Sequence, residues 1–279
     1  MVKSASILPT LAAHQGPTST LFSSQIAAYK PYTYFAALAS CEPSQTLAWN
    51  CGVKCDSRHN FVPVASGGNG DSVQYWYVGY DTSLSRVIVA YQGTDHTKIE
   101  SLLTNANILF GDLDPVLFPS LRSDIQTHSG FRDAHARSAK DVLAAVREAI
   151  RDSGFKTVAV VGNSLGGALA LISSVHLRLW LSKSMVINTV TYGMPRVGNQ
   201  EFVDYVNRYR GNTRITNKDD IVPTLPGRSL GYAHADLEVH IVDNNNWVQC
   251  DGQDNTKAEC TIGYVENIFN GNFNDHRGK

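Results

Sequence analysis

The chain has 279 residues, 43 % hydrophobic and 18 % charged, the balance of an ordinary soluble globular protein. A formal net charge of −1, with no run of Lys or Arg, excludes the basic stripe of a nucleic-acid-binding surface and a polybasic membrane patch. The expected partner is therefore neutral or small.

The amino terminus, "MVKSASILPTLAAHQ", carries one Lys and a short apolar stretch broken by proline, a poor secretory leader. Residues 18–40 read as helix-rich, with an interruption expected at Pro31. Five cysteines fall into two groups, Cys41, Cys51 and Cys55 early and Cys250 and Cys260 late. "WNCGVKC" and "CDGQDNTKAEC" look like polar loops closed by local disulfides, Cys51–Cys55 and Cys250–Cys260, which points to an oxidising, extracellular compartment. No paired CxxC or His–Cys spacing supports zinc.

"DSVQYWYVGY" alternates, "DTSLS" turns and "RVIVAY" runs apolar, the pattern of a hairpin feeding a buried strand. "AYQGTDH" follows, and then "HTKIESLLTNANILF", in which Ile99, Leu102, Leu103, Ala106 and Phe110 share a helical face. From Phe131 to Ile150 the apolar spacing predicts one helix, closed by Gly154. Beyond it, "TVAVVG", an apolar run to about Leu181, "VINTVTYG", "NQEFVDYVNRY", "TRITN" and "EVHIV" alternate strand with helix. That order implies an α/β fold with a mainly parallel central sheet covered on both faces.

The stretch from Val158 to Leu177, "VAVVGNSLGGALALISSVHL", has no charged residue and contains a GxxxG pair. As a membrane span it would leave Asn163, Ser164, Ser173, Ser174 and His176 in hydrocarbon with no basic flank. As a strand ending at Gly162 and a helix starting at Leu165, it is a nucleophile elbow. Ser164 then sits at a strained turn, with glycines on both sides where strand and helix crowd together. A serine nucleophile needs a base, and the base an orienting acid, in the chain order Ser, Asp, His. Asp219 and Asp220 both follow the strand "RIT", at the carboxyl end where α/β proteins build sites; Asp220 leads into "IVP" and is preferred. Asp204 reads as a solvated helix residue. His276, on a polar loop near the chain end, is the preferred base, with His234 second; His240, inside an alternating strand, reads as a surface residue. Leu165 N–H and Thr94, in the loop after the earlier strand, are the candidate oxyanion donors. This chemistry calls for no metal and no cofactor.

Together, "WNCGVKC", "YQGTD", "HSGFRDA", "GNSLGGALA", "YGMPRVGN", "RITNKDDIVPTLP" and "DH" resemble the fungal class 3 lipases, α/β-hydrolases of the filamentous-fungus lipase type. The resemblance runs from about Ser40 to His276 and is closest to basidiomycete mono- and diacylglycerol lipases. It implies Ser164, Asp220 and His276 as the triad, Thr94 and Leu165 as the oxyanion hole, and a lid over residues 96–110 within a single catalytic domain, 1–279. It also implies a secreted enzyme that cleaves acylglycerols at an oil–water interface. The family usually has His where this chain has Asn163, and its members continue past the base with an aromatic segment and a final Cys. Here the chain ends at Lys279, which implies that Cys41 lacks its usual partner and His276 its usual brace. Two other readings compete: a feruloyl-type esterase, which a polar rather than apolar lid would suit, and a non-catalytic lipid-binding relative disabled by the short carboxyl end.

Overall fold

The apolar runs that read as buried strands divide their residues between two faces, as a period of two requires. The computed structural model describes residues 15–94, 108–243, 246–265 and 270–277. Nine strands form its main sheet: β1 (Thr18–Thr20), β2 (Phe61–Gly67), β3 (Trp76–Asp81), β4 (Arg86–Tyr91), β7 (Thr157–Asn163), β8 (Val186–Tyr192), β9 (Asn212–Asn217), β10 (Glu238–Ile241) and β11 (Trp247–Cys250). Two short strands, β5 (Phe110–Asp112) and β6 (Gln126–His128), pair separately. The main sheet runs β1-β11-β10-β9-β8-β7-β4-β3-β2. Its centre, β10 through β4, is parallel, and the hairpins at either edge are antiparallel. This is the α/β-hydrolase architecture expected.

One face is covered by α4 (Ser129–Ala136), α5 (Ala139–Ser153) and α6 (Leu165–Trp180), the other by α1 (Ser23–Leu38). Val87, Val89, Tyr91, Val158 and Val160 belong to the first core, while Ile88, Ala90, Ala159 and Val161 belong to the second. Each such valine or isoleucine contributes about 1.5–3 kcal/mol by leaving water. Helix α6 explains the uncharged stretch: every residue from Leu165 to Leu177 is buried, so it has no polar face to show. Among the described residues no helix is long and apolar enough to cross a membrane.

Several expectations need correction. Helix α1 continues through Pro31, because the ring removes a single N–H and the carbonyl it deprives, that of Ala27, lies on the exposed side. The helix expected from Phe131 to Ile150 is two, α4 and α5, broken at Arg137–Ser138, where Ser138 N–H turns back to His135 O and Ser138 O starts the next helix. Gly154 does close α5, at φ +70°. His240 is fully buried rather than on the surface, its Nδ1 2.9 Å from Thr216 Oγ1, because the short helix Thr261–Tyr264 packs over it, with Thr261 Oγ1 3.2 Å from Nδ1 and the Tyr264 ring 5.0 Å from the imidazole. Of the two expected disulfides, Cys250–Cys260 is present, with an S–S distance of 2.07 Å. Cys51–Cys55 is not: Cys41, Cys51 and Cys55 are free thiols. Cys55, on the four-residue helix α3 (Val53–Asp56), is drawn into the core with Phe35, Phe61 and Tyr77, while Cys51 stays half-buried ahead of that helix. Burial and the adjoining Cys55 and Cys41 thiols push the Cys51 thiol well up. The expected lid, residues 96–110, lies outside the described residues as far as 107.

Two buried histidines on the α4–α6 side make stability depend on acid. His135 and His176 stand edge to face, 5.5 Å apart, both against Phe118. Neither ring nitrogen of His135 has a hydrogen-bond partner among the described residues. Burial, then the neighbouring His176, lowers His135 to about 3; burial, then Arg147, lowers His176 to about 4. The unfolded chain therefore takes up these protons near pH 6.5 while the folded chain refuses them. Their contribution is complete above pH 6.5 and is lost as pH falls from there toward 3, at about 1.4 kcal/mol per pH unit for each group. Calorimetry should show Tm falling steeply below pH 6, and His135→Phe should flatten that fall by about one proton's worth. An unchanged slope would show that His135 is not the buried base.

Candidate active site

Ser164 stands between β7 and α6 with φ 58° and ψ −128°, a left-side backbone conformation that non-glycine residues rarely adopt. Two glycines make it possible. A Cβ on Gly162 would lie 2.1 Å from Gly166 O, and one on Gly166 would lie 2.3 Å from Tyr91 O, so strand, turn and helix fit only without those side chains. Ser164 N–H donates to Tyr192 O at 2.9 Å, tying the turn to the end of β8. Ser164 Oγ is buried and makes no hydrogen bond with a described residue. The loop after β4 passes beside it: a Cβ on Gly93 would meet Asn163 O at 2.8 Å and Ser164 Cβ at 3.4 Å. Thr94, next in that loop, has its Oγ1 buried and without a hydrogen-bond partner among the described residues. Leu165 is the first residue of α6, where a backbone N–H has no intrahelical acceptor.

The turn after β9 carries both candidate acids and separates them. Asp219 is half-exposed, its carbonyl accepting Asn272 N–H at 2.6 Å. Asp220 points inward: Oδ2 lies 2.9 Å from His276 Nδ1, and Oδ1 accepts Val222 N–H at 2.9 Å. Burial pushes its carboxyl above the usual range, and the His276 and Val222 N–H groups act against that rise. His276 sits on a single 3₁₀ turn, Asp275–Arg277, anchored to the end of β9 by Asn217 Nδ2, which donates to Asp275 O at 2.9 Å. His276 Nε2 is buried and, like Ser164 Oγ, without a described partner. His234, the second candidate, is excluded by geometry: its Nε2 faces Pro223 O at 2.7 Å, and burial drives its pKa far down. Asp204 is exposed on α7 (Gln200–Asn207), as expected of a solvated residue.

A cavity of about 390 Å³ adjoins this pair, lined by Asn163, Gly193, Asp220 and His276 together with Ile215, Ile241 and Trp247; Ser164, Leu165 and Thr94 are not among its lining residues. Ala36 and Ala37 of α1 close it. The wall is mostly apolar, so the site can take up an apolar group next to a buried, carboxylate-oriented imidazole. Among the described residues the one grouping of metal-type donors is Glu238 with Cys250 and Cys260, whose sulfurs are joined in the disulfide.

Sequence reasoning missed the work done by "YGMPRVGN". Gly193, at φ +53°, lies so close to the pair that a Cβ there would be 2.8 Å from His276 Nδ1 and 2.9 Å from Asp220 Oδ2. Arg196 is fully buried, and Asn199 caps α7 by accepting Phe202 N–H at 3.0 Å. The available signals were a glycine at the end of a buried strand and an arginine set among apolar residues.

Residues 88–230 match the family model described as Lipase (class 3). A secreted mono- and diacylglycerol lipase of Malassezia restricta is 29 % identical over 238 residues, covering 84 % of this chain and 74 % of its own length. Another, from Malassezia globosa, is 30 % identical over 223 residues, covering 75 % and 71 %. Of the solved structures, lipase II from Rhizopus niveus superposes with a TM-score of 0.80 at 25 % identity, covering 93 % of this chain and 96 % of that one. The triacylglyceride lipase of Rhizomucor miehei gives 0.79 at 24 % identity, with the same shares.

Proposed function

This chain belongs to the class 3 lipases, and from that premise we propose that it hydrolyses acylglycerol esters through Ser164, His276 and Asp220. The observations that carry the assignment are the 2.9 Å contact between Asp220 Oδ2 and His276 Nδ1 and a serine held at a strand–helix elbow, Ser164 Oγ and His276 Nε2 making no hydrogen bond with each other. Asp220 accepts a hydrogen bond from Nδ1–H, which holds the ring in the tautomer whose Nε2 is the basic nitrogen. Ser164 Oγ attacks the ester carbonyl carbon while its proton passes to His276 Nε2. The carbonyl oxygen becomes an oxyanion, for which Leu165 N–H and the Thr94 loop are the donors. As the tetrahedral intermediate collapses, the glycerol oxygen leaves with the proton from Nε2. Water then gives a proton to Nε2 as its oxygen attacks the acyl carbonyl carbon, and collapse of this second intermediate breaks the bond to Ser164 Oγ, which takes the proton back from Nε2 as the fatty acid leaves.

The apolar lining beside His276 suits an acyl chain, and the two Malassezia relatives act, by name, on mono- and diacylglycerols. We read residues 96–110 as the lid of this site, opening at a lipid surface, and the whole chain as one catalytic domain. Secretion is the matching compartment, supported by the Cys250–Cys260 disulfide and by relatives named as secreted. An alkylphosphonate ester in detergent should add once to the intact protein and not to Ser164→Ala. Long-chain monoacylglycerol should be cleaved well ahead of methyl ferulate. No adduct would mean a non-catalytic lipid binder, and a preference for the ferulate would mean a feruloyl-type esterase.

A further inference from the structure

Arg196 is among the largest fully buried side chains in the protein, and a charge is seldom buried so completely without a purpose-built set of partners. Its Nε and Nη2 donate to Asp254 Oδ1 at 2.9 and 2.8 Å. The rest of the residue grips one short segment. Nη1 donates to Thr224 O and, at 2.9 Å, to Pro226 O; the backbone N–H donates to Leu225 O at 2.8 Å. Three successive carbonyls are thus held by one arginine. The preceding carbonyl, Pro223 O, is taken by His234 Nε2 at 2.7 Å, and His234 N–H in turn donates to Asp254 Oδ2 at 2.9 Å.

Val222, the residue just before this row of carbonyls, supplies the N–H that Asp220 Oδ1 accepts. Asp220 is therefore tied to a turn whose far side is locked by Arg196, His234 and Asp254. The side chains of Arg196 and Asp254 are 2 % and 4 % exposed, so neither is open to substrate. Stability alone is a weak reason for such an arrangement, since a buried ion pair contributes little over well-packed apolar side chains. Asp254 lies inside the loop closed by Cys250–Cys260.

We propose that Arg196 and Asp254 are positioning residues for the catalytic acid. They fix the carbonyl row of residues 223–226, and through it the angle at which Asp220 meets His276 Nδ1. The disulfide loop is thereby part of the catalytic apparatus, because it carries the counter-charge that holds Arg196 in place. This rests on the triad reading of Ser164, His276 and Asp220.

The test uses the full chain with Arg196→Lys, Asp254→Asn and Asp220→Asn, alone and with Arg196→Lys and Asp220→Asn combined, on a soluble short-chain ester. Arg196→Lys keeps the charge but cannot serve Asp254 and two carbonyls at once. Expected is a folded protein whose kcat falls about a hundredfold with KM within twofold, and whose acid limb of kcat/KM is displaced. Asp254→Asn should move the same quantities in the same direction by less, and it carries the test if the lysine variant does not fold. In the Asp220→Asn background Arg196→Lys should have almost no further effect on kcat, since a device that acts through Asp220 has nothing left to position. A lowered Tm with kcat, KM and the pH profile unchanged, or full additivity of the two changes, would overturn the proposal. Wild-type turnover in Ser164→Ala and Asp220→Asn would instead remove the triad reading on which it stands.

Discussion

Ser164→Gly is expected to yield a protein that melts higher than the parent and hydrolyses nothing. At φ 58° and ψ −128° a side chain is held against its backbone preference, at about 1–3 kcal/mol. The hydroxyl is also buried without a partner, a second penalty that glycine removes. Against this stands the greater freedom of glycine in the unfolded chain, about 0.5–1 kcal/mol. The balance favours glycine by about 1 kcal/mol, a rise of about 2–4 °C in Tm for a domain of this size. Activity should fall by at least about 10⁴-fold, to what oxyanion donors and binding alone supply. Ser164→Ala separates the two effects, since alanine loses the nucleophile but keeps the backbone strain: it should be equally inactive without the gain in Tm. The pair is read by calorimetry and by fatty-acid release. A glycine variant that melts lower than the alanine one would show that the turn is not strained.

Gly193→Ala should disable the enzyme by a single methyl group set against the His276–Asp220 pair. That methyl would sit 2.8 Å from His276 Nδ1 and 2.9 Å from Asp220 Oδ2, closer than real Cβ contacts come, and the backbone there has φ +53°. Something must shift, and what lies in the way is the bond that orients the base. A displacement of about 1 Å at a catalytic group can lower the rate about a hundredfold. The expected result is a kcat reduced by at least that factor, slower phosphonylation of Ser164 and a lower Tm from the strained φ. Near-parental kcat would mean that the His–Asp pair has room to move and that its position matters less than the geometry implies.

Much of the site was legible because its chemistry follows local rules. Ser164 could be found from a glycine pair flanking it between a β-branched run and an Ala/Leu helix, a spacing that matters only because strand and helix backbones touch there. Asp220 could be preferred to Asp219 because it leads into "IVP", whose Val222 N–H its Oδ1 does accept. His276 was harder: from position alone His234 remained open, and nothing local distinguishes the two rings. What separates them is which carboxylate or carbonyl the fold brings to each, Asp220 for His276 and Pro223 O for His234. His240 was misjudged for the same reason, since an alternating strand does not say what covers its outer face.

By itself the sequence determined the α/β order of elements, the central parallel strands, the elbow serine and the late disulfide, because backbone periodicity, glycine's missing Cβ and loop closure all act over a few neighbouring residues. Tertiary structure alone decided the rest. It left Cys51 and Cys55 as thiols by drawing Cys55 into the core, set His276 rather than His234 against Asp220, and brought Gly193 against that pair and Arg196 against the carbonyls that follow it. Each of those outcomes depends on a neighbour distant in sequence, 56 residues away for Asp220 and His276 and 58 for Arg196 and Asp254. Such contacts are set by how the whole chain packs, and no local pattern encodes them.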